Sequence, residues 1–346
     1  MIIIVEVRNM RKPDFTNLLK VLRREKPDRP TLFEFFLNQP LYEKLAGESM
    51  DDTRDPLQRF GVMIKAFKNA GYDYATLHGS DLYFPRGEVK TIKTRSLNEG
   101  NVIKNRADFE NYRWPEPDEF DYSRLEELEQ YLPDGMKLIV YGPGGVLENV
   151  IDLVGYDSLC YMLFEDPDLV QDIFDAVGSR LVRYYDICAA YDTVGALISN
   201  DDWGFKTQTM LSPSDMRRYV FPWHKKIVET IHKHGKPAIL HSCGNLEKVM
   251  DDIIEDMGYD GKHSYEDGIL PVEEAYDRWG DKIAILGGID LDFVCRGTPQ
   301  EIKARCRAML EKAEKRGGYA LGTGNSVPEY MPHENYFAMI SVVLGE

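Results

Sequence analysis

The stretch Lys236-Pro237-Ala238-Ile239-Leu240-His241-Ser242-Cys243-Gly244-Asn245 holds the unit from which the whole chain is built. A Gly-Lys-Pro break precedes a short apolar run, which reads as a buried strand. The run ends in His241 and Cys243, and Gly244 then lets the chain turn away. On an extended chain, residues i and i+2 point to the same side. An imidazole and a thiolate can therefore approach one point from a single strand end, and that pair suits Zn²⁺ better than Mg²⁺ or Ca²⁺. A hydrogen-bonded core histidine beside a small buried thiol would give the same letters.

The same unit recurs. A short apolar run is entered after Gly or Pro, ends in polar residues or glycine, and gives way to a helical stretch. Strands are expected over 31–36, 72–78, 137–141 and 194–199, then in the quoted stretch, then over 261–265, 282–286 and 318–321. Ahead of them, residues 13–25 place Phe15, Leu18, Leu19 and Leu22 at helical spacing. Asp166-Pro167 opens a helix over 167–190. Ser212-Pro213-Ser214-Asp215 opens one that runs to about His234, with a break near Pro222. Thr298-Pro299-Gln300-Glu301 opens another that runs to Arg316. Residues 81–135 depart from the rhythm and read as a long excursion over the mouth.

Eight strands alternating with helices predict a (β/α)8 barrel. It has an N-terminal helical extension and the excursion after its second strand. No linker rich in Ser, Pro or Gly divides the chain, so residues 1–346 read as one domain; an open doubly wound sheet is the alternative. In such barrels, reactive groups gather at the C-terminal ends of the strands. That rim would carry Glu34, His78 and Tyr141, then Asp201, Asp202, His241 and Cys243. His263, Tyr265, Thr323 and Asn325 follow around it. Asp202 reads as a carboxylate that faces substrate or orients a metal ligand, or else as a turn residue. Asp290 reads as a cap for the next turn. His224, His232 and His234 precede the fifth strand on a helix and are expected to face solvent or to sit as charges at its end. His333 reads as a surface loop residue. Cys160, Cys188 and Cys306 lie in helical segments.

Composition limits the partners. A formal net charge of −16 over 346 residues repels phosphate backbones, so nucleic acid is not expected. No apolar run approaches the roughly 18 residues that cross a bilayer, so no membrane is expected. The apolar start Met1-Ile2-Ile3-Ile4-Val5-Glu6-Val7 has no basic leader and no small-residue cleavage site. Five cysteines at irregular spacing point to reduced thiols. The expected compartment is the cytoplasm, and a homodimer is an allowed assembly.

Several motifs together resemble the uroporphyrinogen decarboxylase superfamily. They are Leu211-Ser212-Pro213, His241-Ser242-Cys243-Gly244-Asn245, Gly287-Gly288-Ile289-Asp290 with Gly297-Thr298-Pro299-Gln300-Glu301-Ile302, and Pro332-His333-Glu334-Asn335-Tyr336-Phe337-Ala338-Met339. Their order and spacing fit from about residue 13 to the end. The resemblance implies a (β/α)8 barrel and one of two activities. Decarboxylases of the superfamily use no metal and grip an acidic tetrapyrrole with arginines near the first strand, in a Met-Arg-Gln-Ala-Gly-Arg-Tyr stretch. Here that place reads Leu32-Phe33-Glu34-Phe35-Phe36-Leu37-Asn38-Gln39-Pro40, and Glu34 is expected to repel a polycarboxylate. The decarboxylases also carry a Gly-His-Gly turn where this chain has Gly322-Thr323-Gly324.

The corrinoid-dependent methyltransferases are closer, because of His241-Ser242-Cys243. In those that use a thiol, a second cysteine near the last strand completes the zinc site, and by position it falls here at Thr323. The resemblance thus implies one Zn²⁺ held by His241 and Cys243, with Glu266 or His263 as the nearest third ligand. Asp202 and His263 become candidate catalytic residues. Glu34, His78, Tyr141, Tyr265, Thr323 and Asn325 become candidate substrate-binding residues. The zinc would act as a Lewis acid on a thiol or on a methoxylated or methylthio donor. The corrinoid would belong to a separate protein, since the chain has no Asp-x-His-x-x-Gly stretch. A decarboxylase and a non-catalytic barrel that binds a small molecule are the alternatives.

Overall fold

The computed structural model of the protein describes residues 11–52, 55–87 and 97–345. The apolar start at residues 1–7 and part of the excursion, residues 88–96, lie outside them. Among the described residues, no helix is long and apolar enough to cross a membrane.

Among the described residues, seven parallel strands form one curled sheet. They are β1 Tyr74–His78, β2 Lys137–Tyr141, β3 Val194–Asn200, β4 Ala238–His241, β5 Gly261–His263, β6 Ala284–Leu286 and β7 Tyr319–Ala320. Their order around the sheet is their order in the chain. A doubly wound sheet reverses its order partway, so that alternative is excluded and the barrel reading stands. Strands of two to seven mostly apolar residues, buried on both faces, are what a sheet wrapped by helices demands. Asn200 pairs with His241, and His241 pairs with His263. The residues that follow β3, β4 and β5 therefore emerge at one level on one rim.

The segment 31–36, expected as the first strand, takes part differently. It lies beside β7 through a single bridge between Leu32 and Leu321. On its other side, side chains of β1 replace the ladder. The Tyr74 hydroxyl accepts from the Glu34 N–H at 2.7 Å and donates to the Glu34 carbonyl at 2.8 Å. The Thr76 hydroxyl donates to the Phe35 carbonyl. Both polar groups of Glu34 are thus paired without a neighbouring backbone, and the segment fills the eighth position without being a ladder strand.

The helix starts follow their caps. Asp166, Ser212, Asp290 and Thr298 each accept a backbone N–H three residues on. The helix expected to break near Pro222 does change there. A turn of π-helix, Met216–Val220, leads into the α-helix Phe221–Lys233. Pro222 offers no N–H for the ladder, so the turn before it widens. In the excursion, the fully buried Leu125 and Leu128 anchor short helical turns.

Candidate metal centre

Strand alternation builds the site. His241 ends β4. Ser242 turns the opposite way, fully buried, and its hydroxyl accepts from the Trp203 N–H at 3.2 Å. Cys243 returns to the side of His241, and its Sγ lies 3.9 Å from His241 Nε2. Gly244 follows with φ of 90°, and a Cβ there would sit 2.1 Å from the Gly204 carbonyl oxygen, so only glycine fits. Beyond the end of β3, Asp202 accepts the Cys243 N–H on Oδ1 at 2.9 Å. One ligand atom each from Asp202, His241 and Cys243 lies within 4.8 Å of the others. Two tetrahedral zinc ligands at about 2.3 and 2.0 Å from the metal stand roughly 3.5 Å apart, close to the spacing found. Among the described residues this is the one such group, and Glu266, on the loop after β5, is outside it.

The surroundings favour ligands over free ions. Burial pulls the His241 imidazole down to about 3, with the Lys262 ammonium adding to the effect, so the ring is neutral. Burial pushes the Cys243 thiol up to about 12, and the nearby Asp202 carboxylate adds to this. A cation between them would reverse the thiol's preference. Two donors already face the sulfur: Ser264 Oγ and Asn325 Nδ2, each at 3.4 Å.

A second layer lies behind the first. His263, fully buried, has Nδ1 2.8 Å from His241 Nδ1 and Nε2 3.1 Å from the Thr323 carbonyl oxygen. Burial holds it well below the usual histidine range. Thr323 turns its side chain away from the cluster. Its amide and hydroxyl meet the two carboxyl oxygens of Glu34, each at 2.7 Å. Glu34 is fully buried, and burial pushes its carboxyl up to about 8. The charge repulsion expected from Glu34 therefore does not operate: the group is covered and largely neutral at pH 7.

Rings form one wall of the mouth. Phe35 packs on His241 with centroids 4.4 Å apart and on Tyr141 at 5.0 Å, and Tyr141 packs on His78 at 4.0 Å. Burial pulls His78 down to about 4. Tyr265 is buried, and its hydroxyl has no protein partner. Above its ring, 4.4 Å from the centroid, sits the Lys262 ammonium, which donates to the Ser264 carbonyl at 2.7 Å. Burial lowers Lys262 to about 8. Neither Lys262 nor Ser264 was anticipated. A lysine between Gly261 and His263 in an otherwise buried strand was the available signal.

The neighbouring carboxylates of residues 201 and 202 diverge. Asp201 points into the helix layer and accepts the N–H groups of Leu147 and Glu148 and Nε2 of His224, all at 2.9 Å. His224, expected to face solvent, is fully buried, and its Nδ1 meets Tyr259 Oη at 2.8 Å. His232 and His234 do lie toward the surface, beside Asp260 and Asp186. His333 opens the helix His333–Leu344 rather than lying in a loop.

Known proteins resemble this chain in sequence or in fold. The uroporphyrinogen decarboxylase of Anaeromyxobacter dehalogenans (strain 2CP-C) is 25% identical over 348 residues, covering 94% of this chain and 97% of that protein. That of Anaeromyxobacter sp. (strain Fw109-5) is 24% identical over 299 residues, covering 82% and 83%. A solved methyltransferase from Methanosarcina mazei superimposes with a TM-score of 0.69 over 95% of this chain and 98% of its own, at 16% identity, a likeness of fold. The profile of the uroporphyrinogen decarboxylase (URO-D) family matches residues 14–345. With nearly the whole chain matched, this protein belongs to the uroporphyrinogen decarboxylase (URO-D) family.

Proposed function

We propose that the chain is a zinc-dependent methyltransferase of this family, moving a methyl group between a small molecule and a corrinoid carried by a separate protein. The observation that carries the reading is the convergence of Asp202, His241 and Cys243 at one point of the rim. One sulfur, one neutral imidazole and one carboxylate are a zinc donor set, and three protein ligands leave a fourth position for substrate. Asp202 takes the third place that Glu266 was expected to fill. Its Oδ1 is engaged by the Cys243 N–H, which aims the carboxylate at the other two groups. Zinc held there would supply Lewis acidity, lowering the pKa of a thiol or polarising the heteroatom of a methyl donor.

The chain's own residues prepare the site. Cys243 would hold a metal as a thiolate, its proton lost to solvent. Ser264 and Asn325, 3.4 Å from the sulfur, would donate hydrogen bonds to that thiolate and limit the charge it presents to a cation. Phe35 and Tyr141 offer an apolar wall on which an uncharged methoxylated or methylthio compound packs.

A second reading, a decarboxylase, is favoured by the names of the relatives. Against it stands the segment 33–36. Phe33 and Phe35 bring rings to 5.3 Å from His263 and 4.4 Å from His241, where the decarboxylases are expected to place arginines for an acidic tetrapyrrole.

One experiment separates the readings. Zinc-loaded protein is incubated with uroporphyrinogen, separately with cob(I)alamin and a series of methyl ethers and methyl thioethers, and separately with methylcobalamin and a series of thiols. Methylcobalamin formed or consumed, with zinc bound at about one per chain, supports the methyltransferase. Coproporphyrinogen formed at an enzymatic rate overturns it.

A further inference from the structure

We infer that His263 is a positioning residue, not a ligand: its Nδ1 accepts a hydrogen bond from the Nδ1–H of His241 and thereby leaves Nε2 of His241 bare toward Cys243. The inference deepens the zinc reading and rests on it for its purpose, though not for its geometry.

Counting protons gives the result. The Thr323 carbonyl can only accept, so His263 Nε2, 3.1 Å away, carries a hydrogen. His263 is fully buried between the Phe33 ring and His241, and among the described residues its ring nitrogens meet His241 and the Thr323 carbonyl, not a carboxylate. A second proton on that ring would be an unpaired buried charge, which is strongly disfavoured. Its Nδ1 therefore holds a lone pair. That lone pair faces His241 Nδ1 at 2.8 Å. Two ring nitrogens this close need one hydrogen between them, and only His241 can supply it. His241 is itself buried and neutral, so its single proton is spent on Nδ1. Its Nε2, 3.9 Å from Cys243 Sγ, is then a lone pair and cannot be an N–H.

The opposite tautomer would place a hydrogen where the metal must bind. Metal-binding histidines are commonly fixed through their second nitrogen by a carboxylate, a carbonyl or water. Here a second histidine does that work, and the Thr323 carbonyl sets its direction in turn. The Thr323 amide in turn donates to Glu34, so the order of donors runs from the ligand His241 through His263 and Thr323 to the barrel-closing segment. This also assigns a role to the threonine that stands in place of a cysteine: its backbone, rather than its side chain, serves the site.

The test reads tautomers first. Metal-free protein labelled with ¹⁵N-histidine is examined by two-bond ¹H–¹⁵N correlation, with signals assigned from the His241→Gln and His263→Gln variants. His241 should appear as the Nδ1–H tautomer and His263 as the Nε2–H tautomer. An Nε2–H signal for His241 overturns the inference whatever the metal content. Zinc affinity is then measured by chelator competition. His263→Leu removes both hydrogen bonds and should weaken binding roughly ten- to a hundredfold. His263→Gln presents a carbonyl to His241 and an amide N–H to Thr323, so it should recover most of that loss. Equal loss in both variants, or none in His263→Leu, counts against the positioning role. A wild-type protein that binds no zinc sinks the proposed function instead, and the tautomers remain a separate result.

Discussion

The Thr323 hydroxyl lies 2.7 Å from Glu34 Oε2, and the same hydroxyl also reaches the carbonyl of Asn325. Both contacts cannot use one hydroxyl proton. Thr323 donates to the carbonyl, which only accepts, so the other hydrogen belongs to Glu34. A neutral acid, protonated on Oε2 and accepting the Thr323 N–H on Oε1, thus ties the turn after β7 to the segment that closes the barrel.

That pairing makes stability depend on pH. The folded state keeps the Glu34 proton until about 8, while an unfolded glutamate loses it near 4.5. Between those values the folded state binds more protons, so stability falls as pH rises, by at most about 1.4 kcal/mol per pH unit from this group. Below the window both states are protonated, and above it neither is. Glu34→Gln keeps the donor and the acceptor without a titrating proton. Denaturation midpoints should therefore match wild type near pH 4.5 and exceed it at pH 8. Parallel pH profiles for the two proteins would refute the neutral-acid assignment.

How much of this was legible in the chain depended on the range of the interactions. The unit of strand, polar end and helix is local, and so are the caps at Asp166, Ser212 and Thr298; all appear where their letters place them. The i, i+2 approach of His241 and Cys243 is a property of any extended strand. What escaped depended on neighbours brought in from elsewhere. His224 looks like one more polar residue on an amphipathic helix until Asp201, from a strand end 23 residues earlier, meets it. The segment 31–36 has the letters of a strand, but Tyr74 and Thr76 take up its backbone groups with side chains. Asp202 rather than Glu266 completes the cluster because the Cys243 N–H draws it in, a long-range bond with no local signature.

The turn after β7 should tolerate no side chain at its first glycine. A Cβ on Gly322 would fall 1.6 Å from the Phe33 carbonyl oxygen, so the backbone of the closing segment would have to move. Gly322→Ala should cost more than about 4 kcal/mol or leave the protein insoluble. Gly268, where a Cβ meets nothing within 4 Å, is the control. Gly268→Ala should leave the midpoint of unfolding within about 0.5 kcal/mol of wild type. Comparable losses at both positions would remove the steric explanation.

Cys243→Ser should empty the site and spare the fold. The thiol is held by two long contacts from Ser264 and Asn325, and a serine hydroxyl is nearly the same shape. Zinc bound per chain, measured by atomic absorption after gel filtration, should fall to background. The unfolding midpoint of the metal-free variant should stay within about 1 kcal/mol of metal-free wild type. Zinc retained at the wild-type level would show that the sulfur is not a ligand.

Asp201 and Asp202 are adjacent, yet their substitution by asparagine should give opposite results. Asp201 is fully covered and accepts three hydrogen bonds, two from the start of the helix Val146–Val154 and one from His224. Asn at 201 must turn an N–H toward one of those donors, leaving it unpaired in the core. That should cost about 2–4 kcal/mol of stability with zinc affinity little changed. Asp202 is partly exposed; it accepts the Cys243 N–H on Oδ1, and its carboxylate also faces the Cys243 thiol. Asn at 202 keeps that acceptor, so stability should change by less than about 1 kcal/mol. Its loss of negative charge beside the metal should lower zinc affinity roughly tenfold or more. Thermal unfolding of the metal-free proteins reads the first quantity, and chelator competition reads the second. If Asp202→Asn binds zinc as wild type does while Asp201→Asn, still folded, does not, the two roles are exchanged and the ligand set must be redrawn.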